Sequence, residues 1–151
     1  MSETAPSPVQ PSRRSLARRL AMQALYQWLL NDTSPSALLK QFAQQEEGLG
    51  RADPTYFGLL LRGVVDDAPA LTLALVPHLD RPLAQLDPVE HAVLLLGAYE
   101  LLHCPEVPWK VCVNEAVNLA KGFGAEDGYK FVNGVLDRLA RDARAAEAAR
   151  R

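Results

Sequence analysis

Residues 130–133 read Lys-Phe-Val-Asn and put a cation, an aromatic ring and an amide on one turn of chain. An exposed ring can stack a nucleobase, an amide can read a base edge, and helix-start N–H groups can hold a phosphate. Asp127, three residues earlier, repels anions and fits such a site only by accepting from a base amino group. A second reading of Phe131 stays open. It sits at the edge of an apolar arc with Val132, Val135, Leu136 and Leu139, where a core role is equally natural. Gly134 is expected to be a packing device that lets another helix approach, because glycine costs a helix about 1 kcal/mol relative to alanine.

The other residues with binding chemistry lie near the start. Arg13, Arg14, Arg18 and Arg19 face only Glu3 among the first 30 residues, a local charge of +3 in a chain of net charge −2. This balance suits a small nucleic-acid contact better than a long duplex footprint. At 100° per residue, Leu16, Ala17, Leu20, Ala21, Ala24, Leu25 and Trp28 share a core-facing arc. Ser15, Arg19, Gln23 and Tyr26 fall opposite, with Arg14 and Arg18 on the edge. Arginines, an amide and an aromatic are therefore expected on one solvent face.

Nothing in the sequence assembles a catalytic site. There is no phosphate-binding loop, nucleophile elbow or zinc-protease motif. Glu115 and Lys121 could be drawn as an acid/base pair, but six residues of helix turn them to different faces. Cys104 and Cys112 lack metal or disulfide spacing and read as buried free thiols. No catalysis, metal or cofactor is expected.

These residues must be positioned by helices. Strand alternation and hairpin signals are nearly absent. The punctuation instead predicts about seven helices: 13–30; one from Ser34-Pro35 to Gly48; one from Asp53-Pro54; a short buried one over 67–77; one from Asp87-Pro88; one over 109–124 stopped by left-handed glycine; and one from about 126 onward. Asp87 with Glu90 reads as a capping box. The chain of 151 residues is 48% apolar, enough for one well-filled core. Residues 1–12 read as a disordered lead-in, 13–142 as the helical domain and 143–151 as a frayed tail. No run of 18 apolar residues and no secretory leader is present, so a cytoplasmic protein is expected.

Four stretches resemble one family. RRSLARRLAMQALYQW (13–28), PVEHAVLLLGAYELL (88–102), VPWKVCVNEAVNLAKGFG (107–124) and DGYKFVNGVLDRLA (127–140) together look like the bacterial transcription antitermination factor NusB family. The resemblance implies an all-α fold of two packed small helical bundles. It implies binding of single-stranded boxA RNA from ribosomal RNA operons together with NusE, a small-subunit ribosomal protein. The pair would seed a termination-resistant RNA polymerase complex without cofactor or catalysis. It also implies RNA contacts at Arg13, Arg14, Arg18, Asp127 and Phe131, and NusE contacts at Tyr26 and Glu90. Arg19, Gln23, Lys130 and Asn133 complete the expected RNA surface on the helical positions given above. Ser15 and Leu16 interrupt a basic run that is longer in the family, and Leu95 replaces a common arginine. The competing reading, of a different class, is a helical scaffold or homodimer without sequence-specific RNA binding.

Overall fold

The computed structural model describes residues 10–45 and 47–148, without the side chains of 146 and 148. Most of the expected lead-in (1–9) and the end of the expected tail (149–151) lie outside the described residues. The helices are α1 (Arg13–Asn31), α2 (Pro35–Ala43), α3 (Pro54–Leu75), α4 (Pro88–His103), α5 (Trp109–Phe123), α6 (Gly128–Ala143) and a single turn, α7 (Ala145–Ala148). Among the described residues no strand forms, and no helix is long and apolar enough to cross a membrane.

The caps read from sequence hold the helix starts. Ser34 Oγ accepts from Ala37 N, Asp53 Oδ1 from Tyr56 N and Asp87 Oδ1 from Val89 N. Ser12, placed by the sequence reading in the lead-in, is the cap of α1 and accepts from Ser15 N at 3.0 Å. Each such bond satisfies one of the orphan N–H groups of a first turn.

Three boundaries differ from expectation. The helices expected from 54 and over 67–77 are one continuous α3 with Pro69 inside it. Proline removes a backbone bond and costs a helix interior about 3 kcal/mol. Buried Leu71 and Leu75 nevertheless extend the stripe of Phe57, Leu60, Leu61 and Val64, and that burial carries the helix through. Helix α2 ends at Ala43, not at Gly48; Gly48 and Gly50 instead take φ of +57° in the following turns. Gly124 stops α5 in an extended conformation (φ −92°, ψ −176°), not a left-handed one. Its N–H donates to Ala120 O at 2.8 Å.

Helices α1–α3 and α4–α6 form two groups joined through α4. Helix α4 packs against α1, α3, α5 and α6 at once. That is why Ala92 through Ala98 are all buried, whichever way they point. The close approach of α6 to α4 depends on Gly97: a Cβ there would lie 2.6 Å from Leu136 Cδ1. Gly134, expected to do this job, does not; a Cβ there would meet only the tip of Arg138 at 3.2 Å. Gly97→Ala is therefore expected to destabilise by roughly 1–2 kcal/mol through overpacking. Gly134→Ala should stabilise by up to about 1 kcal/mol through helix propensity. Urea unfolding of the two variants checks both signs.

The tail is fastened further than expected. The Arg144 guanidinium donates to the carbonyls of Glu100, Leu101, Cys104 and Val107 at 2.7–3.1 Å. It thereby satisfies the open C-terminal end of α4. Glu147 accepts from Arg144 and from Trp109 N, the first N–H of α5. Cys104 and Cys112 are buried and free, as the spacing predicts. Burial, with Glu100 nearby, pushes the Cys112 thiol up to about 12.

Candidate nucleic-acid interface

The arginines at the start of α1 divide into two kinds. Arg13, Arg14 and Arg19 are exposed. Arg13 Nε donates to Arg51 O at 3.2 Å, and the Arg14 guanidinium lies 4.1 Å over the Tyr56 ring. Both contacts engage the guanidinium on one side, and both residues remain exposed.

Arg18, expected among the RNA contacts, is only 4% exposed. Its Nε donates to both oxygens of Glu100 (2.8 and 2.9 Å), and its Nη1 donates to Glu115 Oε1 at 2.6 Å. The Tyr56 hydroxyl also donates to Glu100, which is 1% exposed. Burial alone would favour loss of the Arg18 proton. The Glu100 and Glu115 carboxylates outweigh it and hold the guanidinium more firmly charged than usual. Tyr56 is pushed up by burial and by Glu100. Arg18 thus ties α1 to α4 and α5 and is not available to phosphate. The reason is geometric: Arg18 lies one turn before Met22 and two before Leu25, both buried.

A groove of about 400 Å³ runs between α1 and α5, lined by Ser15, Arg18, Arg19, Glu115, Asn118 and Phe123 among others. Phe123 is 43% exposed and also lines a second groove of about 400 Å³ with Gln23, Tyr26 and Val89. The two grooves meet at that ring. Gln23 and Tyr26 therefore stand where the helical wheel puts them. Phe123 and Asn118 are missed by the sequence reading. The signal available for Phe123 was an apolar residue between two glycines at a helix end, where no core stripe continues.

A third part of the surface lies at the start of α6. Asp127 and Lys130 are exposed and paired at 3.5 Å, and Asn133 is exposed. A pair so open to water contributes little. Phe131 packs partly on the core, and the Arg81 guanidinium lies against one face of its ring, 4.0 Å from the ring centre. The core reading of this ring is thus met in part. Arg81 comes from the loop after α3, about fifty residues away, and nothing local in the sequence marks it. Arginine planes can stack bases as rings do.

Glu90, expected as a surface contact and a capping-box partner, is 5% exposed. Its N–H is capped by Asp87 at a long 3.4 Å, while its carboxylate lies under Gly128, where a Cβ would collide with it. It is a buried acid beneath the α6 N-terminus, not a surface acceptor. Burial and then Asp87 push its carboxyl above the usual range, and Arg81 partly offsets them. Its neighbour His91 lines an apolar groove with Leu29, Leu30 and Leu86, and burial lowers its pKa below the ordinary 6.5.

A lowered histidine pKa means the folded state binds fewer protons than the unfolded chain. Its contribution to stability is present above about pH 6.5 and is lost as pH falls below it. Glu90 has the opposite sense: a raised carboxyl contributes stability at low pH that is lost as pH rises above the ordinary carboxylate range. Between pH 7.5 and 5.5 the wild type should lose more thermal stability than His91→Gln. Melting curves of both proteins at the two pH values check this.

The NusB family model matches residues 15–141. The chain belongs to the NusB family. The transcription antitermination protein NusB of Ralstonia pickettii (strain 12J) is 51% identical over 147 residues, covering 97% of this chain and 94% of that protein. The NusB of Thiobacillus denitrificans is 47% identical over 134 residues, covering 89% and 92%. The fold is similar to that in a crystal structure of antitermination factors NusB and NusE in complex with dsRNA. There the TM-score is 0.78 at 27% identity, over 86% of this chain and 97% of that one. It is likewise similar to the solution structure of NusB from Aquifex aeolicus, with a TM-score of 0.74 at 27% identity over 89% and 90%. The all-α NusB-like fold expected from the sequence is therefore the fold found. The match to the family begins after Arg13 and Arg14, so two of the three exposed arginines of α1 lie just outside the matched span.

Proposed function

We propose that this chain is a cytoplasmic transcription antitermination factor that binds boxA-type single-stranded RNA together with NusE. The complex would seed a termination-resistant RNA polymerase assembly. The role needs no catalysis and no cofactor, only a surface that holds RNA and a second surface that holds NusE. The observation that supports it most is the meeting of the two grooves at Phe123. Arginines line or flank one side of that ring; Gln23 and Tyr26 line the other. RNA is assigned to Arg13, Arg14, Arg19 and Phe123, with Lys130, Phe131, Asn133, Asp127 and Arg81 at the start of α6. NusE is assigned to the face of Tyr26 and Val89, with Glu90 supporting it from below.

Charge sets the scale of the RNA contact. Each phosphate neutralised on a single strand contributes about −0.7 to the slope of log affinity against log salt. The three exposed arginines of α1 alone contribute about −2 to that slope, or roughly a 20-fold loss of affinity between 50 and 200 mM salt; Lys130 is paired with Asp127 and Arg81 lies against Phe131. Arg14→Ala should flatten the slope by about 0.7. Titration of labelled RNA at several salt concentrations measures both. A slope near zero in the wild type would remove the arginines from the interface.

A further inference from the structure

From the α1–α5 groove we infer that Glu115 is a base-reading residue, which selects a nucleobase carrying an exocyclic amino group and disfavours uracil. The inference rests on the RNA-binding reading above and names what one subsite of that surface distinguishes.

Glu115 is oriented from inside the protein. Its Oε1 accepts from Arg18 Nη1 at 2.6 Å and from the Ser15 hydroxyl. Arg18 is itself locked by two bonds to buried Glu100. The carboxylate therefore has one oxygen fixed by its neighbours, and its side chain keeps 20% of its surface open. Among the described residues Oε2 has no hydrogen-bond partner. With Arg18 and Ser15 both donating to Oε1, Oε2 is left as the acceptor that faces the groove.

The rest of the groove suits a base. Phe123 presents an open ring, and ring stacking tolerates any base. Asn118 lies one turn beyond Glu115 and is exposed, so its amide offers both a donor and an acceptor to a base edge. A volume of about 400 Å³ is large enough for a small ligand. Arg19 lies on the rim, where a phosphate would pass. Glutamate accepts from amino groups such as cytosine N4. Uracil offers a carbonyl oxygen at that position, and two acceptors facing each other repel.

The test uses the full chain with NusE and a labelled boxA-type RNA. Each cytidine, adenosine and guanosine is replaced in turn by its deamino analogue: the pyrimidin-2-one riboside, purine riboside or inosine. One position should lose roughly tenfold in wild-type affinity. In Glu115→Gln that penalty should fall below twofold, because the Gln amide can turn its own donor toward the base. Phe123→Ala should weaken all the RNAs alike. A flat panel for the wild type, while the parent RNA still outcompetes a scrambled one, would overturn the inference and leave the RNA-binding reading intact. So would a tenfold penalty that survives in Glu115→Gln. Should Glu115→Gln not fold by circular dichroism, the wild-type panel alone decides. Equal binding of parent and scrambled RNA would sink both readings.

Discussion

Arg18→Ala will lower the unfolding free energy by about 3–5 kcal/mol, the cost of breaking a buried charge pair from one side. For a chain of this length that is roughly 6–20 °C in melting temperature. The loss comes mainly from what remains. Glu100, 1% exposed, would keep only the Tyr56 hydroxyl from the present network, and Glu115 would lose its cation. Three helices meet at this point, because Arg18 lies on α1, Glu100 on α4 and Glu115 on α5. Urea denaturation followed by circular dichroism measures the effect. Replacing Arg18, Glu100 and Glu115 together with apolar residues should cost much less, since no uncompensated charge is left. A melting point of Arg18→Ala within 2 °C of wild type would mean that the pair is not the joint described here.

Phe131→Ala will weaken RNA binding about 5- to 150-fold, equivalent to the roughly 1–3 kcal/mol of one base–ring stack. The ring also packs against the core, so the alanine variant will lose some stability as well. Phe131→Leu separates the two. It keeps most of the apolar contact and lacks the flat face, so it should melt near wild type and still bind RNA more weakly. Arg81→Ala should show a smaller loss in the same assay, because the guanidinium lies against the ring at 4.0 Å without replacing it. Unchanged affinity in all three variants would remove the α6 start from the RNA surface.

Local chemistry made much of this molecule readable from its residues. Ser34-Pro35, Asp53-Pro54 and Asp87-Pro88 each combine a cap with a proline that a first turn accepts, and each opens a helix. Tyr26 and Gln23 were placed outside by helical periodicity alone. What stayed hidden depended on contacts between distant segments. Pro69 and Asp67 look like a helix boundary until Leu71 and Leu75 are seen to continue a buried stripe. Gly134 looked like the close-packing glycine, but only the position of α4 shows that Gly97 holds that role.

Arg18 is the instructive intermediate case. The helical wheel set it at the edge of the solvent face, and only the fold brings it onto Glu100 of α4 and Glu115 of α5. Each residue read alone passes for surface charge; together they specify the joint. Arg81 left no such trace, since it reaches Phe131 from a loop that only the folded chain brings near.

The most direct test of the functional account is a fluorescence-anisotropy titration of a labelled boxA-type RNA against a scrambled RNA of equal length. Each is run with the purified protein alone and with NusE added. The account predicts tighter binding to the boxA-type RNA and a further gain when NusE is present. Equal, weak binding to both RNAs that vanishes with salt and ignores NusE would contradict it, leaving the arginines of α1 as a charged face only.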